Sequence, residues 1–266
     1  MIRPNKILYF TEIIAVFSLI TGCSLSKDSS TKDMTIRISA ASSLQDVMGE
    51  VETIVETRHP TMDVVFNYGS SGSLKQQLSQ GAPIDLYLSA STDTVHALLE
   101  DETLKEKNVV NFLQNELVLI EPVNNTLHIE KIEDIIDDRF EKVAIGTPES
   151  VPAGKYAVET LKNMDVFQDV SPNFIQAKNV RQVLTYVENE NVDAGFVYKT
   201  DAMLSDEVNI ATEVDNNYHS PIIYPVAMTN RGAENDEVQA LFNFFQSEEF
   251  KNIAEEYGFK AKVGTN

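Results

Sequence analysis

The sequence predicts an α/β protein of two lobes. Each lobe is expected to be a mainly parallel sheet flanked by helices, with a ligand cleft between the two. Three observations lead there. Short β-branched runs alternate with longer amphipathic stretches, the pattern of parallel strands joined by right-handed helical crossovers. The alternation pauses at an apolar run ended by Pro122 and then restarts, which divides the body in two. A late apolar strand precedes two helices at the C-terminus, so the tail returns to the first lobe. A chain of 266 residues is long enough for two units that each bury a core.

The elements follow in order. Ile36–Ala40 alternates as a strand, and Leu44–Thr57 carries a helical stripe at Leu44, Val47, Val51, Ile54 and Val55. Val64–Phe66 is a second strand, followed by a short helix, Leu74–Gln80, that stops at Gly81. Ile84–Leu88 reads as a strand, Thr94–Leu99 as part of a helix, and Leu117–Ile120 as a strand. The second run comprises strand Val143–Ile145, helix Lys155–Lys162, strand Phe174–Ile175, helix Val180–Val187 and strand Ala194–Val197. Strand Ile222–Met228 and helices near Val238–Phe245 and Phe250–Tyr257 complete the chain. Crossings near Leu117–Pro122 and Tyr224–Met228 place residues 34–118 and 225–266 in lobe I and residues 119–224 in lobe II.

Composition removes several classes of function. With 21 Lys and Arg against 41 Asp and Glu, the net charge is −20, and nucleic acid is not an expected partner, since phosphate binding needs a basic surface. One Cys permits neither an internal disulfide nor a Cys-rich zinc site. His59, His96, His128 and His219 show no metal-ligand spacing, so no direct protein–metal ligands are expected.

The amino terminus reads as a targeting segment. Arg3 and Lys6 precede the apolar run Ile13–Ile20, which is too short to span a bilayer. Gly22-Cys23 then closes the core. The lone Cys at that position resembles a bacterial lipoprotein cleavage box, against the plainer reading of a free thiol. Residues 1–22 are accordingly expected to be a lipoprotein signal peptide, Cys23 the lipidated position, and the polar stretch 23–33 a flexible tether. The body would then be soluble, outside the cytoplasm, held to the cell membrane by lipid, and monomeric.

Ligands of open parallel sheets gather where strands end and helices begin. Four such junctions open with small or neutral residues: Ala40-Ala41-Ser42-Ser43-Leu44, Gly69-Ser70-Ser71-Gly72-Ser73-Leu74, Ser150-Val151-Pro152-Ala153-Gly154-Lys155, and Asn179-Val180-Arg181. The plain reading of the first is a Ser helix cap, of the second a flexible linker, and Asn179 reads as an N-cap. Together they offer more. A helix start carries about +0.5 charge and free N–H groups, so four aimed at one cleft would offset about −2. Such a site holds a small dianion with neutral donors and no Lys or Arg.

These residues carry a resemblance. With Gly81-Ala82-Pro83-Ile84-Asp85-Leu86, Gly195-Phe196-Val197-Tyr198-Lys199-Thr200-Asp201-Ala202, Tyr224-Pro225-Val226-Ala227 and Tyr257-Gly258-Phe259, the chain resembles the molybdate-binding component of the molybdenum ABC importer over about residues 34–260. The resemblance implies a two-lobed periplasmic-binding-protein type II fold. It also implies an oxyanion held by the hydroxyls of Ser43, Ser71 and Tyr198 and the backbone N–H groups of Ala153 and Val180. Gly72 and Asn179 depart from the family's familiar Ser and Asp, and neither removes a donor. Arg181 and Lys155 follow the ligand positions and read as outward-facing or lobe-bridging ion pairs. Asp85 reads as structural.

The resemblance further implies a ligand, molybdate with tungstate, and partners, an ABC permease and its ATPase. It implies neither a cofactor nor catalysis. Three rivals stand beside it: the same fold binding another tetrahedral oxyanion such as sulfate, a secreted serine hydrolase, and a surface lipoprotein with a degenerate cleft. The hydrolase is disfavoured because Ser73 occupies the last Gly position of G-x-S-x-G.

Overall fold

The computed structural model describes residues 34–261; the expected signal peptide, Cys23 and the tether lie outside the described residues. The first run comprises β1 (Met34–Ala41), a 3-10 turn (Ser42–Leu44), α1 (Gln45–Arg58), β2 (Met62–Gly69), α2 (Ser71–Ser79), β3 (Leu86–Leu88), α3 (Thr92–Glu100) and β4 (Val109–Gln114). The second comprises β5 (Leu117–Pro122), β6 (Val143–Gly146), α4 (Pro152–Asn163), α5 (Phe167–Val170), β7 (Phe174–Ala177), α6 (Val180–Glu188), β8 (Ala194–Tyr198), α7 (Lys199–Ala202) and β9 (Val208–Glu213). The chain ends with β10 (Ile223–Met228), α8 (Asp236–Phe244), α9 (Glu248–Glu256) and β11 (Lys260–Ala261).

Two sheets form, in the orders β11-β4-β10-β3-β1-β2 and β7-β6-β8-β5-β9. In the first, β1 pairs in parallel with β2 and β3; in the second, β6 pairs in parallel with β7 and β8. The other pairings are antiparallel, because β5 and β10 arrive directly from the other sheet, with no helical crossover to turn them around. Both sheets are therefore mixed, each with a three-stranded parallel block that runs to one edge. Strands β4 and β9 have no counterpart in the sequence reading. β4 lies two residues before β5 and merges with its apolar run, and β9 is an edge strand with few apolar side chains (Val208, Ile210).

The chain changes sheet at Asn115–Glu116, just before Leu117, and again between β9 and β10. Leu117 and Val118 thus belong to the second sheet, and Tyr224 to the first. Outgoing and returning segments run side by side: the Asn115 N–H donates to the Ile222 carbonyl at 3.2 Å, and the Val214 N–H to the Leu117 carbonyl at 3.0 Å. The tail packs on the first sheet through α8 against β10. Asp85 is structural, as its sequence position implies: its carboxylate accepts from the Arg37 N–H at 2.8 Å and Arg231 Nε at 2.7 Å.

The core is continuous apolar packing around these sheets. Ile36, Ile38, Leu86 and Leu88 are fully buried in one, and Ala144, Ile145, Phe196 and Val197 in the other. Strands covered on both faces read as unbroken apolar runs, as in β5 and β8. The seat of α4 depends on Gly154. A Cβ there would fall 1.8 Å from the Gly146 carbonyl oxygen, so the first turn of α4 rests directly on the end of β6. Gly154→Ala is expected to destabilise the protein by about 1–3 kcal/mol, because backbone must move to relieve the overlap. Calorimetric melting of variant and parent checks this.

Candidate functional site

Five strand-to-helix junctions lie along two strand edges. Ser43 follows β1 and Ser71 follows β2; these strands are parallel neighbours, so their carboxyl ends share one edge of the first sheet. Ala153, Val180 and Tyr198 stand at the carboxyl ends of β6, β7 and β8, also parallel neighbours, on one edge of the second. The two edges face each other. The Gly72 N–H donates to the Ser150 carbonyl at 2.9 Å, Lys155 pairs with Asp93, and Arg181 pairs with Asp46. Helix α6 packs against the turn that carries Ser43. Lys155 and Arg181 are thus lobe-bridging ion pairs, one of the two roles expected for them.

The helix starts are built as their sequences imply. Pro152 occupies the first position of α4 behind Val151, and Asn179 caps α6 by accepting from the Gln182 N–H at 2.9 Å. Ser70 caps α2, accepting from the Ser73 N–H at 3.2 Å. Ala153 and Val180 therefore hold first-turn N–H groups, which have no carbonyl one turn back to bond.

The three hydroxyls are not caps. Ala41 precedes the 3-10 turn with no side-chain cap, and Ser43 Oγ lies 2.9 Å from the Tyr224 hydroxyl instead. Ser71 Oγ accepts from the Ala90 N–H at 2.9 Å, which leaves its own hydrogen to donate. Tyr198 is 1% exposed, yet its hydroxyl finds no hydrogen-bond partner among the described residues. Buried hydroxyls are ordinarily paired, so an orphan of this kind points to a missing partner. Burial raises the Tyr198 pKa well above its ordinary value, so it remains a neutral donor.

Beneath the donors lies a charged triad that the sequence reading did not assemble. Asp201 is fully buried, and its carboxylate stands 2.7 Å from Arg181 Nε. Arg181 is shared between Asp201 and Asp46, so its charge is already committed. Burial pushes the Asp201 pKa up to about 6; Arg181 opposes the rise and the nearby Asp46 charge adds to it. Tyr224 and Asn115 were also missed as site residues. Tyr224 sits in a strand that reads as pure core, and its ring meets the Tyr198 ring edge-on at 5.8 Å. The one available signal was a polar Asn115 between two apolar runs.

A groove of about 560 Å³ opens between the lobes, lined by Gly72, Ser73, Ser91, Asp93, Ser150 and Lys155 among others. None of the five predicted donors lines it; all are buried. Among the described residues no group of His, Cys, Asp or Glu is placed to hold a metal ion, and no helix is long and apolar enough to cross a membrane.

Two lobes joined by two crossing segments, with their helix starts facing across a cleft, define a solute-binding protein of the periplasmic type. The chain belongs to the bacterial extracellular solute-binding protein family, whose sequence pattern matches residues 36–260. It is 40% identical to the protein named "Putative ABC transporter substrate-binding lipoprotein YvgL" of Bacillus subtilis, over 97% of this chain and 99% of that one. It is 33% identical to the molybdate-binding protein ModA of Haemophilus influenzae, over 94% and 98% respectively. Among solved structures it is similar to the "substrate binding domain of putative molybdenum ABC transporter from Clostridium difficile", with 36% identity and a TM-score of 0.66 over 85% of this chain and 98% of that one.

The triad sets a pH dependence. Asp201 titrates near 6 when folded and near 3.8 when unfolded, so the unfolded chain holds fewer protons between these values. Its contribution to stability therefore falls as pH rises from about 4 to about 6 and is flat above. Asp201→Asn removes that fall. The stability of the variant relative to the parent is expected to be greater at pH 7 than at pH 4.5, by about 2 kcal/mol, in denaturant melts at both pH values.

Proposed function

We propose that the protein is the extracytoplasmic binding component of an ABC importer and that it captures molybdate, with tungstate, between its lobes. The observation that carries this reading is the buried Tyr198 hydroxyl, which has no hydrogen-bond partner among the described residues and lies beside the Tyr224 ring that reaches Ser43. A tetrahedral dianion supplies acceptors on all sides. Ser43, Ser71 and Tyr198 donate from side chains; Ala153 and Val180 donate from backbone, aided by their helix dipoles. Charge-assisted hydrogen bonds of this type contribute about 1.5–3 kcal/mol each. The name of the Haemophilus influenzae relative, a molybdate-binding protein, supports the choice of ligand.

The loaded, closed form would dock on a membrane permease whose ATPase drives uptake. The chain itself carries out no reaction and needs no cofactor. Cys23 is the lipid attachment point on this reading, supported by the lipoprotein name of the Bacillus subtilis relative. The working unit is a monomer. Phosphate is disfavoured because it keeps a proton that a set of donors cannot accept. Sulfate shares the charge and lacks the proton, so cavity size must exclude it.

A calorimetric titration with molybdate, tungstate, sulfate and phosphate tests the reading. Molybdate and tungstate are expected to bind, and ligand at 100-fold its Kd to stabilise the fold by about 2.7 kcal/mol. Binding of sulfate alone would transfer the assignment to a sulfate carrier. Ser71→Ala is expected to weaken molybdate at least tenfold and, because the buried Ala90 N–H loses its acceptor, to lower the stability of the free protein by about 1–3 kcal/mol; unchanged affinity would remove Ser71 from the site. Closure has its own check. A Cβ at Gly72 would lie 2.7 Å from the Ser150 backbone across the cleft, so Gly72→Ala should lower molybdate affinity with little change in the melting of the free protein.

A further inference from the structure

The hydroxyl of Ser43 is one end of a buried chain of hydrogen bonds that begins at the lobe crossing. Asn115 is the residue at which the chain leaves the first sheet. Its Oδ1 accepts from the Glu116 N–H at 2.9 Å. That N–H can only donate, so it sets which way the amide faces. The Asn115 Nδ2 hydrogens then reach the Thr200 hydroxyl at 2.9 Å and the Tyr224 hydroxyl at 3.3 Å. Tyr224 Oη thus receives a hydrogen from Asn115 and has one of its own to give. Ser43 Oγ, 2.9 Å away, is placed to take it. Having accepted, Ser43 keeps its own hydrogen for a third group. Asn115, Thr200, Tyr224 and Ser43 are all buried, so no member exchanges freely with solvent.

An isolated Ser hydroxyl has no fixed sense. It rotates to donate to a bare oxygen or to accept from a protonated one. The chain removes that choice. We propose that Asn115 and Tyr224 are specificity-determining positioning residues: through Tyr224, the Asn115 amide locks the Ser43 hydroxyl as a donor toward the cleft, so that the site selects oxyanions that carry no proton. This rests on the oxyanion reading above and adds the means by which one of its donors refuses a protonated guest.

The experiment compares molybdate with phosphate at about pH 8, where both are essentially dianions, so that electrostatic changes act on both alike and cancel in the ratio of their Kd values. Tyr224→Phe frees the Ser43 hydroxyl to rotate. The preference for molybdate over phosphate is expected to fall about tenfold. Asn115→Asp reverses the chain: the new carboxylate accepts from Tyr224, Tyr224 accepts from Ser43, and Ser43 turns a lone pair to the cleft. The preference is expected to fall further. A general loss of packing would weaken both anions equally and leave the ratio in place. With Ser43→Ala as background, Tyr224→Phe should no longer alter the ratio. If Ser43→Ala loses molybdate affinity but the ratio stays constant in Tyr224→Phe and Asn115→Asp, the relay is overturned and the oxyanion site stands. If Ser43→Ala binds molybdate as the parent does, Ser43 is not a ligand and both readings of that residue fall.

Discussion

The architecture depends on the meeting of two parallel strand edges. Each carboxyl end delivers a loop and a helix start, and each helix start brings N–H groups with no internal partner. One such edge offers a weak and open collection of dipoles. Two edges pressed together enclose those dipoles, and in a dry site a hydrogen bond to a charge is far stronger than in water. The contact of Gly72 with Ser150 and the pairs Lys155–Asp93 and Arg181–Asp46 hold the edges in that relation. On the proposed reading an acidic chain can carry a site for an anion, because the surrounding surface charge is screened over about 8 Å at physiological salt and enclosed donors are not.

Arg181, a cation beside Val180, is spent on structure. Its guanidinium serves Asp201 within its own lobe and Asp46 in the other. Burying a carboxylate beneath an anion site looks unfavourable, and the raised pKa of Asp201 is the mark of that cost. The geometry explains the arrangement. Asp201 lies three residues beyond Tyr198 and Arg181 next to Val180, so pairing them aligns α6 and α7. The reach to Asp46 then ties both to the turn that bears Ser43. A charge network of this kind is better understood as specifying one alignment than as adding stability.

The lobe crossing shows the same economy. Asn115 bonds the returning segment through its backbone and both lobes through its side chain, to Thr200 in one and Tyr224 in the other. A residue at this point feels any change in the relation of the lobes, and its hydrogen bonds end at Ser43. Hinge geometry and donor orientation are thereby parts of one network.

Much of this was legible in the residues. The run of strands and helices, the restart after Pro122, the cap at Asn179 and the Pro at the head of α4 all follow from local periodicity and capping, which act within a few residues. The strand-to-helix junctions that hold Ser43, Ser71, Ala153, Val180 and Tyr198 were legible as well, through motif order. Which bond each makes was not. Ser43 reads as a cap and instead meets Tyr224, 181 residues away; Tyr198 and Tyr224 read as core. The antiparallel entries of β5 and β10, the edge strand β9, the sharing of Arg181 by two carboxylates and the polarity of the Asn115 chain all arise from contacts between segments far apart in sequence. Local periodicity determines which stretches become strand or helix. Only folding decides which ends face one another, because that depends on how the two sheets pack and on where the backbone passes between them.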